Sequence, residues 1–315
     1  MVGDKNARDE AVTWICPRCR GELVAEETGY RCPADDLHFT RRDGIWRFLL
    51  PERESHFEQF VHQYQVVREH EGWGLADRTY YRALPFDDLS GRHGEISNFR
   101  ARSYETMLSG VIEPLSAKRG RALRVLDLGA GNGWLSYRLA QEGHQALAVD
   151  LLDNAYDGLG TYSYYDVAFE PLQAEFDRLP IDDAQADIVV FNGSLHYSTD
   201  YKQTLAEGLR VMRPDGRLVV MDSPIYREAS SGEKMVQERY DQFAERYGFS
   251  EPALPDEGYL TFERLDSLAS ETDLQWRFLK PGYGWRWIGR SWLARIRSRR
   301  EPATFLVIVG RQAQL

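Results

Sequence analysis

The sequence predicts an α/β fold: a mostly parallel sheet covered on both faces by helices, preceded by a small cysteine-bearing module. Three observations carry this. From Arg121 onward, short apolar strands alternate with helical stretches, the pattern of parallel strands joined by crossover helices. All three cysteines fall within residues 16–32, among short, turn-rich segments unlike anything later. The 315 residues are 43% hydrophobic and 12% aromatic, enough for one large core and an appendage.

Residues 1–50 make up the first module, which "DGIWRFLLP" closes, with Pro51 at the boundary. Residues 51–120 read as helices around the aromatic, glycine-interrupted stretch "EGWGLADRTYYRALPFDD". Gly72 and Gly74 would let residues 72–86 bend as a lid over a site; a packed connector is the alternative. Residues 121–315 supply the sheet. "LRVLDLG" is a buried strand, "GWLSYRLAQEG" a helix stopped by Gly143, and "HQALAVDL" a second strand. "DIVVFNG" and "GRLVVMD" are strands joined by the helix "DYKQTLAEGLRVMRPDG", and "LQWRFLK" and "TFLVIVGR" are late strands.

The formal net charge of -10 argues against attraction of the whole molecule to nucleic acid or anionic membrane. No apolar run follows "MVGDKNARDE", so no signal peptide is expected, and stretches such as "FLVIV" are strand-sized. Three clustered cysteines are not a secreted disulfide framework. The expectation is a soluble, cytoplasmic protein without a transmembrane segment.

The most informative stretch is "VLDLGAGNGWLSYRLA". A strand ends in Asp127 and Leu128, glycines follow at 129, 131 and 133, and a helix begins. Glycines there let the backbone turn tightly and approach a ligand, and the helix aims its first amides at it. A dinucleotide fingerprint would place its third glycine at position 134, which is Trp134, so NAD and FAD are disfavoured. D-x-G-x-G-x-G instead resembles the first motif of class I S-adenosylmethionine-dependent methyltransferases. "QAEFDRLP", "ADIVVFNGSLHY" and "LRVMRPDGRLVVMD" resemble that family's later segments, in order, over roughly residues 100–223.

The resemblance implies a Rossmann-like, doubly wound, seven-stranded, mostly parallel sheet with an antiparallel last strand. It implies S-adenosylmethionine as cofactor. Asp127, Gly129, Gly131, Gly133, Asp150, Leu151, Glu175, Phe176 and Asn192 would bind it, with Asp150 on the ribose hydroxyls and Glu175 and Phe176 beside the adenine. For the chemistry, His196, Tyr197 and Tyr226 follow the fourth and fifth strands, with Asp222 preceding Tyr226 in "MDSPIY", at the edge of the sheet where ligands bind. His196 is the candidate base, because imidazole titrates near neutrality; a structural histidine is the alternative.

The first module, "CPRCRGEL" followed by "CPADDLHFTRRDGI", resembles the zinc-ribbon-like segments fused to some methyltransferases. The resemblance implies structural zinc on Cys16, Cys19, Cys32 and His38, with Asp35 as the alternative fourth ligand and a degenerate, metal-free ribbon as the other reading. From Lys280 to Arg300 there are seven basic residues, no acid, and three tryptophans; a helix with solvated arginines is favoured there over an RNA- or lipid-facing surface. The expected activity is methyl transfer to a small-molecule or lipid-linked metabolite. An RNA methyltransferase and a non-catalytic scaffold for cofactor or partner are the alternatives.

Overall fold

The computed structural model describes residues 11–249, 251, 253–284 and 300–313. Four short strands open it: β1 (Val24–Glu26), β2 (Gly29–Cys32), β3 (Leu37–Arg42) and β4 (Ile45–Arg47). Each pairs antiparallel with the next. Helix α1 (Pro51–His70) starts immediately afterwards. Pro51 occupies its first turn with Glu52 and Glu54 beside it, where a missing N–H costs nothing and acids offset the helix dipole. Next come α2 (Arg78–Ala83) and α3 (Gly94–Met107), which continues through a π-helical turn (Leu108–Ile112) into α4 (Glu113–Arg119).

The rest alternates strand and helix: β5 (Arg124–Leu128), α5 (Trp134–Gln141), β6 (Gln145–Asp150), β7 (Glu170–Gln173), β8 (Ala186–Asn192), α6 (Tyr201–Val211) and β9 (Met212–Met221). After it come β10 (Ile225–Tyr226), α7 (Ala229–Tyr247), β11 (Leu260–Thr261), α8 (Phe262–Thr272), β12 (Leu274–Leu279) and β13 (Val307–Gln312). β10 and β11 form a small parallel pair of their own.

The main sheet has the order β1-β2-β3-β4-β7-β6-β5-β8-β9-β13-β12. From β4 to β9 all neighbours run parallel; β13 lies antiparallel between β9 and β12. The chain leaves β5 in one direction through β6 and β7, then returns to β8 on the other side. That reversal opens a crevice beyond the carboxyl end of β5, the place where such sheets bind ligands.

Of the nine strands after Arg121 seven join the main sheet, but the expected seven-stranded sheet is corrected: among the described residues eleven strands form one mixed sheet. β4 pairs with the outer edge of β7 at Trp46↔Leu172 and Arg47↔Gln173, satisfying backbone groups that β7 would otherwise leave open. The module also shares the core. Cys16, Leu23, Cys32, Phe39 and Phe48 belong to one buried cluster with Leu126, Leu147, Leu172 and Ile181. Pro51 marks a helix start rather than a gap in the packing.

Residues 72–86 pack in part against the rest of the chain. Tyr80 and Tyr81 are buried, the Tyr81 hydroxyl donates to the Tyr156 carbonyl, and Arg82 Nε donates to Tyr164 O at 2.9 Å. The tryptophan- and arginine-rich stretch 280–300 lies, from 285 to 299, outside the described residues. No helix among the described residues is long and apolar enough to cross a membrane.

At the opposite end of the sheet from the crevice, Asp187 anchors the edge of the core. Its fully buried carboxylate accepts from Arg121 at 2.8 Å, Arg213 at 2.7 Å, the Arg124 N–H at 2.7 Å, and Arg119. Burial alone would raise its pKa, but the Arg121, Arg124 and Arg213 donors outweigh it and hold the carboxyl at about 2. A depressed carboxyl adds stability that is complete above its unfolded value and fades as the pH falls through about 2. Asp187→Asn is expected to cost roughly 3–5 kcal/mol, since several cations lose a buried partner. Urea unfolding near neutral pH and at about pH 3 measures this, and the gap between variant and wild type should narrow in acid.

Candidate active site

The loop between β5 and α5 is built by its glycines. Gly129, Gly131 and Gly133 have φ of 75°, 55° and 73°, the left-handed region where side chains are strained. A Cβ on Gly129 would overlap Ser194, and one on Gly133 would lie 2.7 Å from the Phe169 ring. Gly131 has no neighbour nearer than 3.8 Å to such a Cβ, because it faces open space.

Asp150, at the end of β6, ties this loop down. Its Oδ2 accepts the Gly131 N–H at 2.7 Å and its Oδ1 the Leu152 N–H at 2.8 Å. Burial pushes its pKa up to about 6, against those amide donors. Each oxygen keeps a second lone pair for a ligand hydroxyl. Asp127 sits beneath the loop rather than in a cavity wall. Ser136 Oγ donates to its Oδ2 at 3.0 Å, Oδ1 has no partner among the described residues, and burial raises its pKa to about 7.

Two cavities meet over the loop. A narrow slot has Gly129, Gly131, Asp150, Leu151, Glu175 and Phe176 among its walls, and Arg53, Phe57, Phe60 and Tyr64 of α1 close it from above. Arg53 grips Glu175 with two nitrogens, at 2.9 and 3.0 Å. A broad cavity of about 1020 Å³ opens on the other side and takes in Asn192, His196, Asp222 and Tyr226. Tyr64, Gly129, Gly131, Gly193 and Tyr197 line both. Gly133 lines neither and serves the helix start instead.

The three candidates for chemistry differ in situation. His196 is buried, with Nδ1 3.2 Å from Ser223 Oγ; burial first, and Arg239 second, push its pKa down to about 3. Such an imidazole stays neutral but is a weak base. Tyr197 packs against Phe60 and Tyr64, with ring centroids 5.9 and 6.1 Å away, and forms the partition between the cavities. The Tyr226 hydroxyl accepts from Arg300 Nη1 at 3.3 Å.

Sequence reasoning missed α1 as the roof. Its signal was present: Arg53, Phe57, Phe60, Tyr64 and Arg68 recur at steps of three and four, which places them on one helical face. Arg68 closes this row by pairing with the buried Asp157, which also accepts from Asn132 Nδ2 at 3.3 Å.

In the first module, sulfur or oxygen atoms of Cys16, Cys19, Cys32 and Asp35 all lie within 4.8 Å of one another. Cys19 and Cys32 sulfurs are 3.4 Å apart, and Asp35 Oδ2 is 3.3 Å from Cys16 Sγ and 3.6 Å from Cys32 Sγ. Ligands about 2.0–2.3 Å from a tetrahedral zinc stand at similar mutual separations, so this donor set fits the ion. The expectation of His38 as fourth ligand is corrected. His38 is exposed and 3.3 Å from Glu26 Oε2, because successive side chains in β3 face opposite ways and its neighbour Phe39 points into the core.

Residues 126–220 match the family described as "Methyltransferase domain". Among curated relatives, an uncharacterized methyltransferase of Mycobacterium tuberculosis (strain ATCC 25618 / H37Rv) is 38% identical over 97 residues, covering 31% of this chain and 38% of that one. A demethylmenaquinone methyltransferase of Beutenbergia cavernae is 31% identical over 138 residues, covering 44% of this chain and 55% of its own. Among solved structures, a 1,6-didemethyltoxoflavin-N1-methyltransferase of Burkholderia thailandensis, with bound 1,6-didemethyltoxoflavin and S-adenosylhomocysteine, is 17% identical. It covers 70% of this chain and 90% of that one at a TM-score of 0.42. The chain thus spans 38% and 55% of the lengths of these two curated relatives.

Of the seven histidines, His196 should stay neutral well below pH 5, since its pKa is pushed to about 3. Its protonation opposes folding, so its neutral burial costs stability as the pH falls below about 6.5. Imidazole resonances followed by NMR through a pH titration check this. The His196 set, assigned by comparison with a His196→Gln variant, is expected not to move between about pH 5 and 8.

Proposed function

We propose that the class I S-adenosylmethionine-dependent methyltransferase domain carried by this chain methylates a small-molecule or lipid-linked metabolite held in the broad cavity. One observation carries the reading: the slot and the cavity share Gly129, Gly131, Gly193, Tyr64 and Tyr197 as walls. Methyl transfer is an in-line displacement, so an acceptor must be held directly behind the methyl group. Two adjoining compartments over one glycine loop suit that requirement.

The slot's residues fit the cofactor, which supplies an electrophilic methyl group when bound. Asp150 has lone pairs left for ribose hydroxyls. Leu151 and Phe176 offer apolar walls to the adenine, with Glu175 held beside them by Arg53. Gly129 and Gly131 would let the methionine part lie against bare backbone, and Asn192 would meet its far end. Asp127 and Gly133 support the loop from below. Tyr197 and Tyr226 would line the acceptor, with α1 keeping water out, and His196 would position rather than remove a proton. The demethylmenaquinone-named relative supports a lipid-linked or similarly apolar acceptor. The net charge of -10 weighs against RNA.

The knuckle is read as a structural zinc site on Cys16, Cys19, Cys32 and Asp35, which would staple the module together. Three free cysteines suit the reducing interior of a cell.

Transfer of labelled methyl from S-adenosylmethionine into a cell extract, then split into RNA, protein, lipid and small-molecule fractions, tests the function. Label is expected in the lipid or small-molecule fraction; label in RNA would make it an RNA enzyme. No label despite S-adenosylhomocysteine binding would favour a scaffold. Asp150→Ala should weaken S-adenosylhomocysteine binding at least about tenfold in calorimetry, roughly the worth of one or two charge-assisted hydrogen bonds. Elemental analysis should find zinc in the purified protein, lost on Asp35→Ala and kept on His38→Ala.

A further inference from the structure

Asp222, the first residue after β9, carries two costs at once. Its φ is 57°, a left-handed conformation that costs most side chains energy and that Asp and Asn tolerate best. Among the described residues neither carboxylate oxygen has a hydrogen bond of good geometry, the Ser103 hydroxyl being the donor beside them, and both oxygens are buried, an arrangement that buried polar groups normally avoid. It stands in the wall of the broad cavity. It is also beside the seam: a Cβ on Gly193, which lines both cavities, would lie 3.8 Å from Asp222 Cβ.

Three other polar groups of the site are engaged. His196 Nδ1 faces Ser223, Tyr226 meets Arg300, and Asp157 is held by Arg68. Around Asp222 stand Arg100 and Ser103 of α3, and Tyr283 after β12. The Tyr283 hydroxyl is 3.0 Å from Ser103 Oγ.

Resting on the acceptor-cavity reading above, we propose that Asp222 receives the proton of the acceptor, which is therefore a compound with a hydroxyl or ring N–H nucleophile. The heteroatom X–H would point at the free carboxylate while X faces the methyl group at the seam. The X–C bond forms as the C–S bond breaks, and that bond's electron pair stays on sulfur, which becomes a neutral thioether. The proton passes from X to a carboxylate oxygen of Asp222 and from there to water, so no oxidant or reductant is needed.

Burial raises the Asp222 carboxyl to about 7, against the Ser103 hydroxyl and the Arg100 charge. A base titrating there is matched to weakly acidic donors such as phenols, enols and ring N–H groups. His196, neutral and near 3, is far weaker.

Asp222→Asn tests this, because asparagine also tolerates the left-handed backbone. Two quantities are read: S-adenosylhomocysteine affinity by calorimetry, and labelled methyl transfer from S-adenosylmethionine into the small-molecule and lipid fractions of a cell extract. Transfer is followed between about pH 5 and 9, the range that spans such a base. The expected result is affinity within about twofold of wild type, transfer reduced about 100-fold or more, and loss of the acid limb expected of wild type near pH 7. Asp222→Glu, which restores a carboxylate, should recover part of the rate and the acid limb.

Undiminished transfer by a folded Asp222→Asn protein overturns the inference alone. So does a tenfold or greater loss of S-adenosylhomocysteine affinity, which would make Asp222 a cofactor anchor. Wild-type protein that binds S-adenosylhomocysteine yet labels neither fraction overturns the acceptor-cavity reading and this inference with it.

Discussion

The parallel pairing of β4 with β7 is the constraint on which the rest of the architecture depends. It is short, Trp46↔Leu172 and Arg47↔Gln173, and is continued by the Phe48 N–H to Gln173 O at 2.9 Å. Side chains reinforce it: Arg41 pairs with Glu170 at 2.8 Å, and Arg47 with Asp153 and Gln173. Because α1 starts at Pro51, three residues beyond Phe48, this pairing fixes where the roof helix begins. Arg53 then falls opposite Glu175, only two residues past Gln173 on the partner strand's exit. Without that register, the row of aromatics on α1 would have no defined relation to the glycine loop.

A second theme is the set of carboxylates kept in low dielectric around the crevice. Asp127, Asp150 and Asp222 follow or end three different parallel strands, and burial raises all three. They differ in what compensates. Asp127 has one hydroxyl donor and Asp150 two amides, while Asp222 has only the Ser103 hydroxyl nearby and, among the described residues, no hydrogen bond of good geometry. Carboxylates with the same intrinsic chemistry thus sit in different settings: beneath a loop, holding a loop with lone pairs to spare, and, for Asp222, in the role of proton acceptor proposed above.

Much of this was legible in the residues themselves. The glycine spacing, the acid ending the second strand, and the strand–helix alternation are local patterns, and the local backbone follows them. Two features were not legible, for physical reasons. Whether the sheet ends at β7 is decided by backbone pairing between segments over a hundred residues apart, and nothing in β7's composition announces a partner. The fourth position of the cysteine cluster turned on strand parity: once Phe39 is committed to the core, His38 must face water, and the turn residue Asp35 is left beside the sulfurs. The aromatic face of α1 was periodic in the sequence, but what that face covers is decided by segments far away in the chain.

Fusing the module to the sheet also relocates a free margin. Had the sheet stopped at β7, its open side would have been a four-residue strand holding Leu172, in the middle of the molecule's largest apolar cluster. Instead the margin on that side is β1, three solvent-exposed residues in which Glu26 pairs with Arg31 at 3.0 Å. Short, charged margins resist the strand-to-strand addition that drives self-association. The module therefore acts as a guard against aggregation for the sheet it joins, whatever else it contributes.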